Sequence, residues 1–394
     1  MRLLEVIGSM DPHTGGPCQT IRNLAPCFIK HGHAIEVVCL NEPDSDFLAA
    51  DKFPVHALGR PWGSYHYHPA LMAWLHRNLP NFDAVILNGI WQYQGHALWR
   101  ASKRPKSPPF YIFPHGMLDP WFQKLSVYHI KAFRNWILWK LIQHRVVQDA
   151  AGLLFTCEEE RRLARLPFRP YQPKSESVVG LGVPEPPEYH PRMAAAFAEK
   201  CPELGDHSYF LFLGRIHPKK GVDLLIKGYA ALCGSPAKNS RQPIAKLVIA
   251  GPGLETPFGQ QMKKLASDIC PPDSICWPGM LAGDAKWGAL YNCEASVLPS
   301  NQENFGIAVV ETLACGRPVM ISSQVNIWRE IKDAGAALVE ANSVAGTTQL
   351  FAKWAGLTNA DRSNMAAQAR PCFQNIFSIE SATRNLLATI GPHN

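Results

Sequence analysis

Short apolar runs, hydrophobic on both faces, alternate with longer amphipathic segments along the whole chain, and the alternation happens twice. LLEVIG, IEVVCL, DAVILNG, PFYIFPHG and GLLFTC read as strands in the first half, and SYFLFLGR, KLVIAGPG, ASVLPS and RPVMIS in the second. Ile21–His31 and Gly221–Leu232 carry helical periodicity between them. A strand apolar on both faces must be covered on both faces, which is the condition of a parallel sheet packed between helices. The predicted class is α/β with two such sheets.

Between the two sets lies Val178–Pro191, VVGLGVPEPPEYHP, whose four prolines read as an interdomain linker. A length of 394 residues suits two domains, each with its own core. The expected division is 1–185, which a terminal helix in about 376–394 (SIESATRNLLATI) can rejoin, and 186–375.

Composition narrows the function. With 39 Lys+Arg against 32 Asp+Glu the net charge is +7, which favours anionic small molecules or an anionic membrane surface without demanding nucleic acid. No stretch approaches the roughly 20 apolar residues of a spanning helix, and MRLLEVIGSM is broken by Glu5, too short for a signal peptide's apolar region. The 11 cysteines form no CxxC pair and no metal-like Cys/His spacing, so the expectation is reduced, mostly buried thiols in a cytosolic protein with no metal. A P-loop is absent, and GPGLETPFG has Thr256 where the third glycine of a dinucleotide fingerprint belongs. Asp44-Ser45-Asp46 has a DxD pattern, in a polar loop where chance explains it. Trp121–Gln148 differs in character: five Lys/Arg, no acid and many aromatics, the composition of a helix lying on an anionic membrane or lining a groove for an acidic or lipid-linked substrate. The competing reading is a basic-faced helix whose aromatics pack inward.

Open parallel sheets bind ligands beyond the carboxyl ends of their strands, so the chemistry is sought in the loops that follow them. Gly15 and Gly16 precede a helix pattern after the first strand and let backbone N–H groups approach an oxyanion. PHGMLDPW places His115 and Asp119 directly after another strand; His115 can bond a substrate hydroxyl, whereas Asp119 is better read as a helix cap. RIHPKKG puts Arg215, Lys219 and Lys220 at a strand–loop–helix junction, where two cations neutralise a diphosphate. In SVLPSNQENFGIAVVETLACGRPVMIS a helix is predicted to begin at Phe305–Gly306 and to close at Gly316 and Pro318. Its N-terminus offers amides to a phosphate. Glu303 before it and Glu311 two turns into it can each accept from paired hydroxyls of one ligand.

E-N-F-G-I-A-V-V-E followed by T-L-A-C-G-R-P-V resembles the signature of the retaining, GT-B-fold glycosyltransferases often called family 4 or group 1. The Gly15–Gly16 loop, HGMLDPW, FLGRIHPKKG and LVIAGPG stand in the matching order, so the resemblance covers most of the chain; HGMLDPW is similar to members acting in bacterial polysaccharide assembly. The resemblance implies two Rossmann-like domains facing across a cleft, the first on the acceptor side and the second holding a UDP- or GDP-sugar, with no metal or other cofactor. It implies that Arg215 and Lys220 hold the donor diphosphate, that Glu303 binds the transferred sugar and Glu311 the ribose, and that Asn304, Phe305, Gly306 and Ile307 form the backbone cradle. His115 would face the sugar, Gly16 with Gly15 the diphosphate, and Gly279 with Met280 the base. The implied activity is metal-independent retaining transfer to a glycan or lipid-linked acceptor in cell-surface polysaccharide synthesis, by a cytoplasmic, peripherally membrane-bound enzyme. Alternatives are a GT-B sugar-nucleotide epimerase and a non-catalytic nucleotide-sugar-binding protein. The chain departs from the pattern in having Asn304 where many relatives have Gly, Lys219 beside Lys220, and GLGV where an Asn-Gly pair is usual.

Overall fold

The computed structural model describes residues 1–123, 125–234 and 244–391, with side chains given outside 122–131. The chain divides into two compact units, Met1–Pro184 with Ile379–Asn394, and Glu185–Ser378.

The first unit is built on seven strands: β1 Arg2–Val6, β2 Ala34–Cys39, β3 Val55–Ala57, β4 Ala84–Asn88, β5 Phe110–Phe113, β6 Gly152–Phe155 and β7 Glu176–Val178. They form one parallel sheet in the order β3-β2-β1-β4-β5-β6-β7. Its helices are α1 Gly16–Lys30, α2 Pro69–Asn78, α3 Tyr93–Ala101, α4 Leu125–Leu138, α5 His144–Asp149 and α6 Glu158–Ala164. Side chains alternate between faces along a strand, and here both faces are dry. Leu3, Val37 and Ile86 join one apolar cluster, while Leu4, Val38 and Leu87 join the other. Helix α1 lays Ile21, Leu24, Ala25 and Phe28 on the first face, where Ala382, Leu386 and Ile390 join them from the chain's last helix. Each of the Ile, Leu and Phe side chains among them contributes about 1.5–3 kcal/mol when fully buried.

The second unit carries β8 Tyr209–Leu213, β9 Lys246–Ala250, β10 Ile275–Gly279, β11 Ala295–Leu298, β12 Val319–Ser322 and β13 Ala337–Glu340, parallel in the order β10-β9-β8-β11-β12-β13. Its helices are α7 Pro191–Lys200, α8 Val222–Gly234, α9 Pro257–Ile269, α10 Gly283–Asn292, α11 Ile307–Ala314, α12 Trp328–Asp333, α13 Val344–Gly356 and α14 Asn359–Cys372; the last helix, α15 Ile379–Ile390, belongs to the first unit.

All 11 cysteines are free thiols, and Cys270 alone among them is not fully buried. Among the described residues no helix is long and apolar enough to cross a membrane. The basic segment Trp121–Gln148 splits the two readings given for it. Lys124 and the side chain of Lys131 lie outside the described residues. Trp139 turns inward, stacked 4.7 Å from Phe168, and Asn135 and Gln143 are buried with it. Phe133, Trp136 and Leu141 point outward, at 62, 52 and 64 % exposure.

Candidate active site

In each sheet the strand order reverses once, between β1 and β4 and between β8 and β11. Such a switch point leaves a crevice at the strands' carboxyl ends, because the connections on its two sides run in opposite directions. In the second unit, the residues after β8 are Gly214–Gly221 and those after β11 are Pro299–Gly306.

These two loops are tied to each other. Asn301 donates its backbone N–H to the Lys219 carbonyl at 2.8 Å and its side-chain amide to the Pro218 carbonyl at 2.8 Å. The Ser300 hydroxyl donates to Lys219 O at 2.9 Å, and Ser322 reaches Ser300 O at 2.6 Å from β12. Position 221 must be glycine: φ is +68°, and a Cβ there would stand 2.1 Å from the Pro299 carbonyl oxygen. On the other flank, Ile216 donates its N–H to Pro252 O at 2.8 Å. The backbone carrying Arg215 and Lys220 is thus clamped from both sides, while the Arg215 side chain is exposed and has no ion-pair partner among the described residues.

Lys220 Nζ is ion-paired with Glu303 Oε2, both side chains about four-fifths buried. Glu303 is fixed by its backbone, donating to Gln324 O and accepting from Asn326 N, each at 2.9 Å. Its side chain lies over the start of α11, since a Cβ on Gly306 would be 3.4 Å from Glu303 Cγ. Gly306, at φ +79°, turns the chain into α11, and no side chain caps that helix. Val309 N–H donates to the Gly306 carbonyl at 2.9 Å, so it is the Ile307 and Ala308 amides that stay open to a ligand among the described residues. Phe305 is buried edge-on against Phe377, 5.8 Å away, which anchors the turn, and Ile307 is exposed. Asn304 accepts from Asn326 Nδ2 at 3.4 Å.

Glu311 stands on the fifth residue of α11, one turn in and not two, because the helix starts at Ile307. It pairs with Lys286 of α10 at 2.9 Å, and Lys286 also lies 4.1 Å over the Trp287 ring. Gly279 closes β10 at the sheet edge, followed by Met280 at 71 % exposure. Arg215, Lys220, Glu303, Asn304, Gly306 and the start of α11 thus share one edge of one sheet. Gly279 and Met280 are two strands away from β8 on that edge.

In the first unit Gly15 and Gly16 are exposed, and Gly15 precedes α1 without a side-chain cap. His115 follows β5 with φ +51° and stacks on Phe113, ring centroids 4.2 Å apart. Asn88 donates its Nδ2 to Glu5 Oε2 at 2.6 Å, so its Oδ1 accepts the His115 Nε2 proton at 2.9 Å. His115 Nδ1 is left as an acceptor. Burial pulls the imidazole down to about 3 and pushes the Glu5 carboxyl up to about 8. Both ends of this Glu5–Asn88–His115 chain are therefore neutral near pH 7. Glu160 accepts from Gly116 N at 2.5 Å and from Thr156, holding the turn behind His115. Asp119 accepts from Trp121 N at 2.7 Å, as a cap does. Between the loops after β1 and β2 opens a hollow of about 580 Å³, lined among others by Ser9, Asp11, Asn41, Arg60 and His66.

Three of these residues, Glu5, Asn88 and Lys286, escape a reading of the sequence. Glu5 interrupts an apolar strand and looks like a break in it; only the position of Asn88, on the neighbouring strand, shows why a carboxyl is tolerated there. Lys286 belongs to no motif, and its pairing with Glu311 depends on how α10 meets α11. The Asp44 and Asp46 carboxylates are exposed and belong to no metal-capable cluster among the described residues.

Residues 196–370 match the family described as glycosyl transferases group 1, and residues 15–182 match the glycosyl transferase 4-like domain. A D-inositol 3-phosphate glycosyltransferase of Actinosynnema mirum is 29% identical over 188 residues, 46% of this chain and 43% of that protein. A GDP-mannose-dependent alpha-(1-6)-phosphatidylinositol dimannoside mannosyltransferase of Mycobacterium tuberculosis is 26% identical, covering 52% and 49%. The chain spans less than half the length of these curated relatives. The structure of Anabaena Alr3699/HepE in complex with UDP and glucose superposes with a TM-score of 0.73 at 15% identity, over 99% of each chain, which shows the GT-B fold of two Rossmann-like domains.

Proposed function

The chain belongs to the group 1 glycosyltransferases, and from that premise we propose that it moves a sugar from a nucleoside-diphosphate sugar to a glycan or lipid-linked acceptor, with retention and without a metal, in cell-surface polysaccharide synthesis. The observation that carries this reading is the Lys220–Glu303 pair at the uncapped mouth of α11. A cation and a carboxylate held together by a locked loop are two halves of one recognition device. A donor diphosphate takes Lys220, Arg215 and the Ile307 and Ala308 amides; Glu303 then turns to the sugar's hydroxyls, which a carboxylate accepts in pairs. Glu311, one turn further in, takes the ribose, and Gly279 and Met280 flank the base. Asn304 and Phe305 complete the cradle, the first by contact and the second by anchoring the turn.

Breaking the bond to the leaving diphosphate develops negative charge on its oxygens. Preorganised donors stabilise that charge without rearranging during the reaction, and removing one such donor costs about 10²–10³ in rate. The leaving phosphate takes the acceptor's proton, so no side-chain base is required. Neutral His115, with Gly15 and Gly16 on the same sheet edge of the first unit, serves as a hydrogen-bonding group toward the sugar and diphosphate and not as a proton donor of ionic character. The relative's printed use of GDP-mannose and the UDP bound in the structural neighbour make a UDP- or GDP-sugar the donor class to try first. The exposed Phe133, Trp136 and Leu141 beside Arg134, Lys140 and Arg145 support contact with an anionic membrane at the cytoplasmic face.

Titration calorimetry with UDP, GDP and ADP and their glucosyl and mannosyl forms tests the site. Arg215→Ala should abolish diphosphate binding. Glu303→Ala should keep it but bind the free nucleotide and the sugar nucleotide equally. Unchanged binding in Arg215→Ala would remove the assignment. Release of nucleoside diphosphate only upon adding acceptor separates transfer from epimerisation and from simple binding.

A further inference from the structure

Far from the crevice edge of the first sheet, α1 ends beneath the start of α15. Cys27 in the last turn of α1 and His31 at its C-cap lie one turn apart, on the same side of the helix. Glu380, the second residue of α15, meets both. Its Oε2 is 3.2 Å from Cys27 Sγ, and its Oε1 is 3.1 Å from His31 Nε2. The sulfur, the imidazole nitrogen and the carboxylate oxygen all lie within 4.8 Å of one another. We propose that Cys27, His31 and Glu380 form a Zn²⁺ site that clasps the last helix of the chain to the first.

Four observations argue for an ion there. First, the imidazole is oriented for it. His31 Nδ1 sits 2.8 Å from the Cys27 carbonyl, which can only accept, so Nδ1 carries the proton and Nε2 faces the cluster. Metal-binding histidines are fixed in this way, the second ring nitrogen donating to a carbonyl or carboxylate. Second, the spacing fits. Zinc bonds of about 2.0–2.3 Å at tetrahedral angles set ligand atoms about 3.3–3.8 Å apart; the Cys27–Glu380 and His31–Glu380 contacts stand within a few tenths of an ångström of that range, and the other separations, up to 4.8 Å, close by rotation of the exposed His31 and Glu380 side chains. Third, the charges balance: a thiolate and a carboxylate offset the two positive charges of the ion, and the imidazole stays neutral. Fourth, Thr383, one turn beyond Glu380, lies against the same sulfur, and its fully buried hydroxyl finds no partner of hydrogen-bond geometry. A mixed S, N, O set is the preference of zinc and not of Mg²⁺ or Ca²⁺, which take oxygen.

Binding exchanges the thiol S–H bond for a Zn–S bond, and the proton leaves to solvent. His31 and Glu380 are 37 and 52 % exposed, so the ion enters from outside and a water completes its coordination. The ligands come from positions 27, 31 and 380, which is why no spacing in the sequence announces them. The site lies apart from the proposed donor-binding residues and does not bear on whether transfer itself uses a metal.

Full-length protein, reduced and stripped with a chelator, should take up one equivalent of Zn²⁺ in competition with a chromophoric chelator. At a hundredfold excess over Kd its unfolding midpoint should rise by about 5 °C. Co²⁺ should give a thiolate charge-transfer band together with the visible bands of a tetrahedral ion. Cys27→Ser should lose the charge-transfer band, and His31→Ala and Glu380→Gln should each weaken Zn²⁺ binding at least tenfold, while hydrogen exchange in β1, β2 and α1 stays as in the metal-free wild type and shows the first unit of each variant to be folded. Failure to take up one equivalent would overturn the proposal, and so would a cobalt band that survives in Cys27→Ser, which would place the ion on another cysteine.

Discussion

Glu5 and His115 are neutral for the same reason, burial, and they depart from their ordinary pKa values in opposite directions. Folded Glu5 keeps its proton up to about pH 8, whereas the unfolded chain releases it near 4.5, so folding stability falls as pH rises through that window. Folded His115 refuses a proton until about pH 3, whereas the unfolded chain takes one near 6.5, so stability falls as pH drops through that window. Each slope is at most about 1.4 kcal/mol per pH unit. The two oppose each other between 4.5 and 6.5, and above 6.5 only the Glu5 slope remains. Glu5→Gln keeps an acceptor for Asn88 and removes the titration. Its urea midpoint should exceed the wild type's by a margin that widens from pH 5 to pH 8; a constant margin would mean that Glu5 is ionised in the folded protein. None of this is legible in one sequence. Arg215, Lys220, Glu303 and Glu311 were legible because their chemistry sits in contiguous motifs; the carboxyl at position 5 makes sense only through Asn88, 83 residues away.

Among the elements, the long strands announced themselves, because a run such as AVILN is buried on both faces. The three-residue strands β3 and β7 did not. They lie at the sheet edges, are half-buried throughout and read VHA and ESV, with no two-faced apolar run to mark them. The loop Gly214–Gly221 was recognised by its cations, yet its rigidity comes from the Pro299 and Asn301 contacts that no spacing reveals. Gly221→Ala should therefore do more than add a methyl group. It should destabilise the second unit by about 1–3 kcal/mol and weaken nucleoside diphosphate binding at least tenfold. Gly356→Ala, where an added Cβ meets nothing within 4 Å, is the control; equal behaviour of the two would show that the loop does not need the clamp. Helix α4 with the turn after it carries the membrane reading. Vesicles with an anionic lipid should co-sediment the protein at low salt and release it at high salt, and Trp136→Ser with Lys140→Ser should cut the bound fraction severalfold. Equal binding to neutral vesicles would leave the cations without a role.

On the scale of the whole chain, the last helix is a return. The second unit ends at Ser378, and Ile379–Ile390 then packs on α1, so the first unit is assembled from both ends of the sequence. The amphipathic pattern of SIESATRNLLATI foretold a helix, but its partner is set by which apolar face is left open. That face belongs to α1, and Ala382, Leu386 and Ile390 close it at 2, 2 and 4 % exposure. Leu386 and Ile390 alone are worth about 1.5–3 kcal/mol each, against a typical domain stability of about 5–15 kcal/mol. A chain stopped after Ser378 should therefore lose much of the first unit's stability while the second keeps its own core. Hydrogen exchange should show faster exchange in β1, β2 and α1, with β8, β11 and α11 protected as before. The shortened protein should still gain thermal stability from the nucleoside diphosphate that the full chain binds, because every group assigned to the diphosphate on the second unit lies between Arg215 and Ala308. Loss of that gain, with the second unit's exchange unchanged, would mean that the first unit supplies essential contacts to the nucleotide, and the Gly15–Gly16 loop would be the place to look.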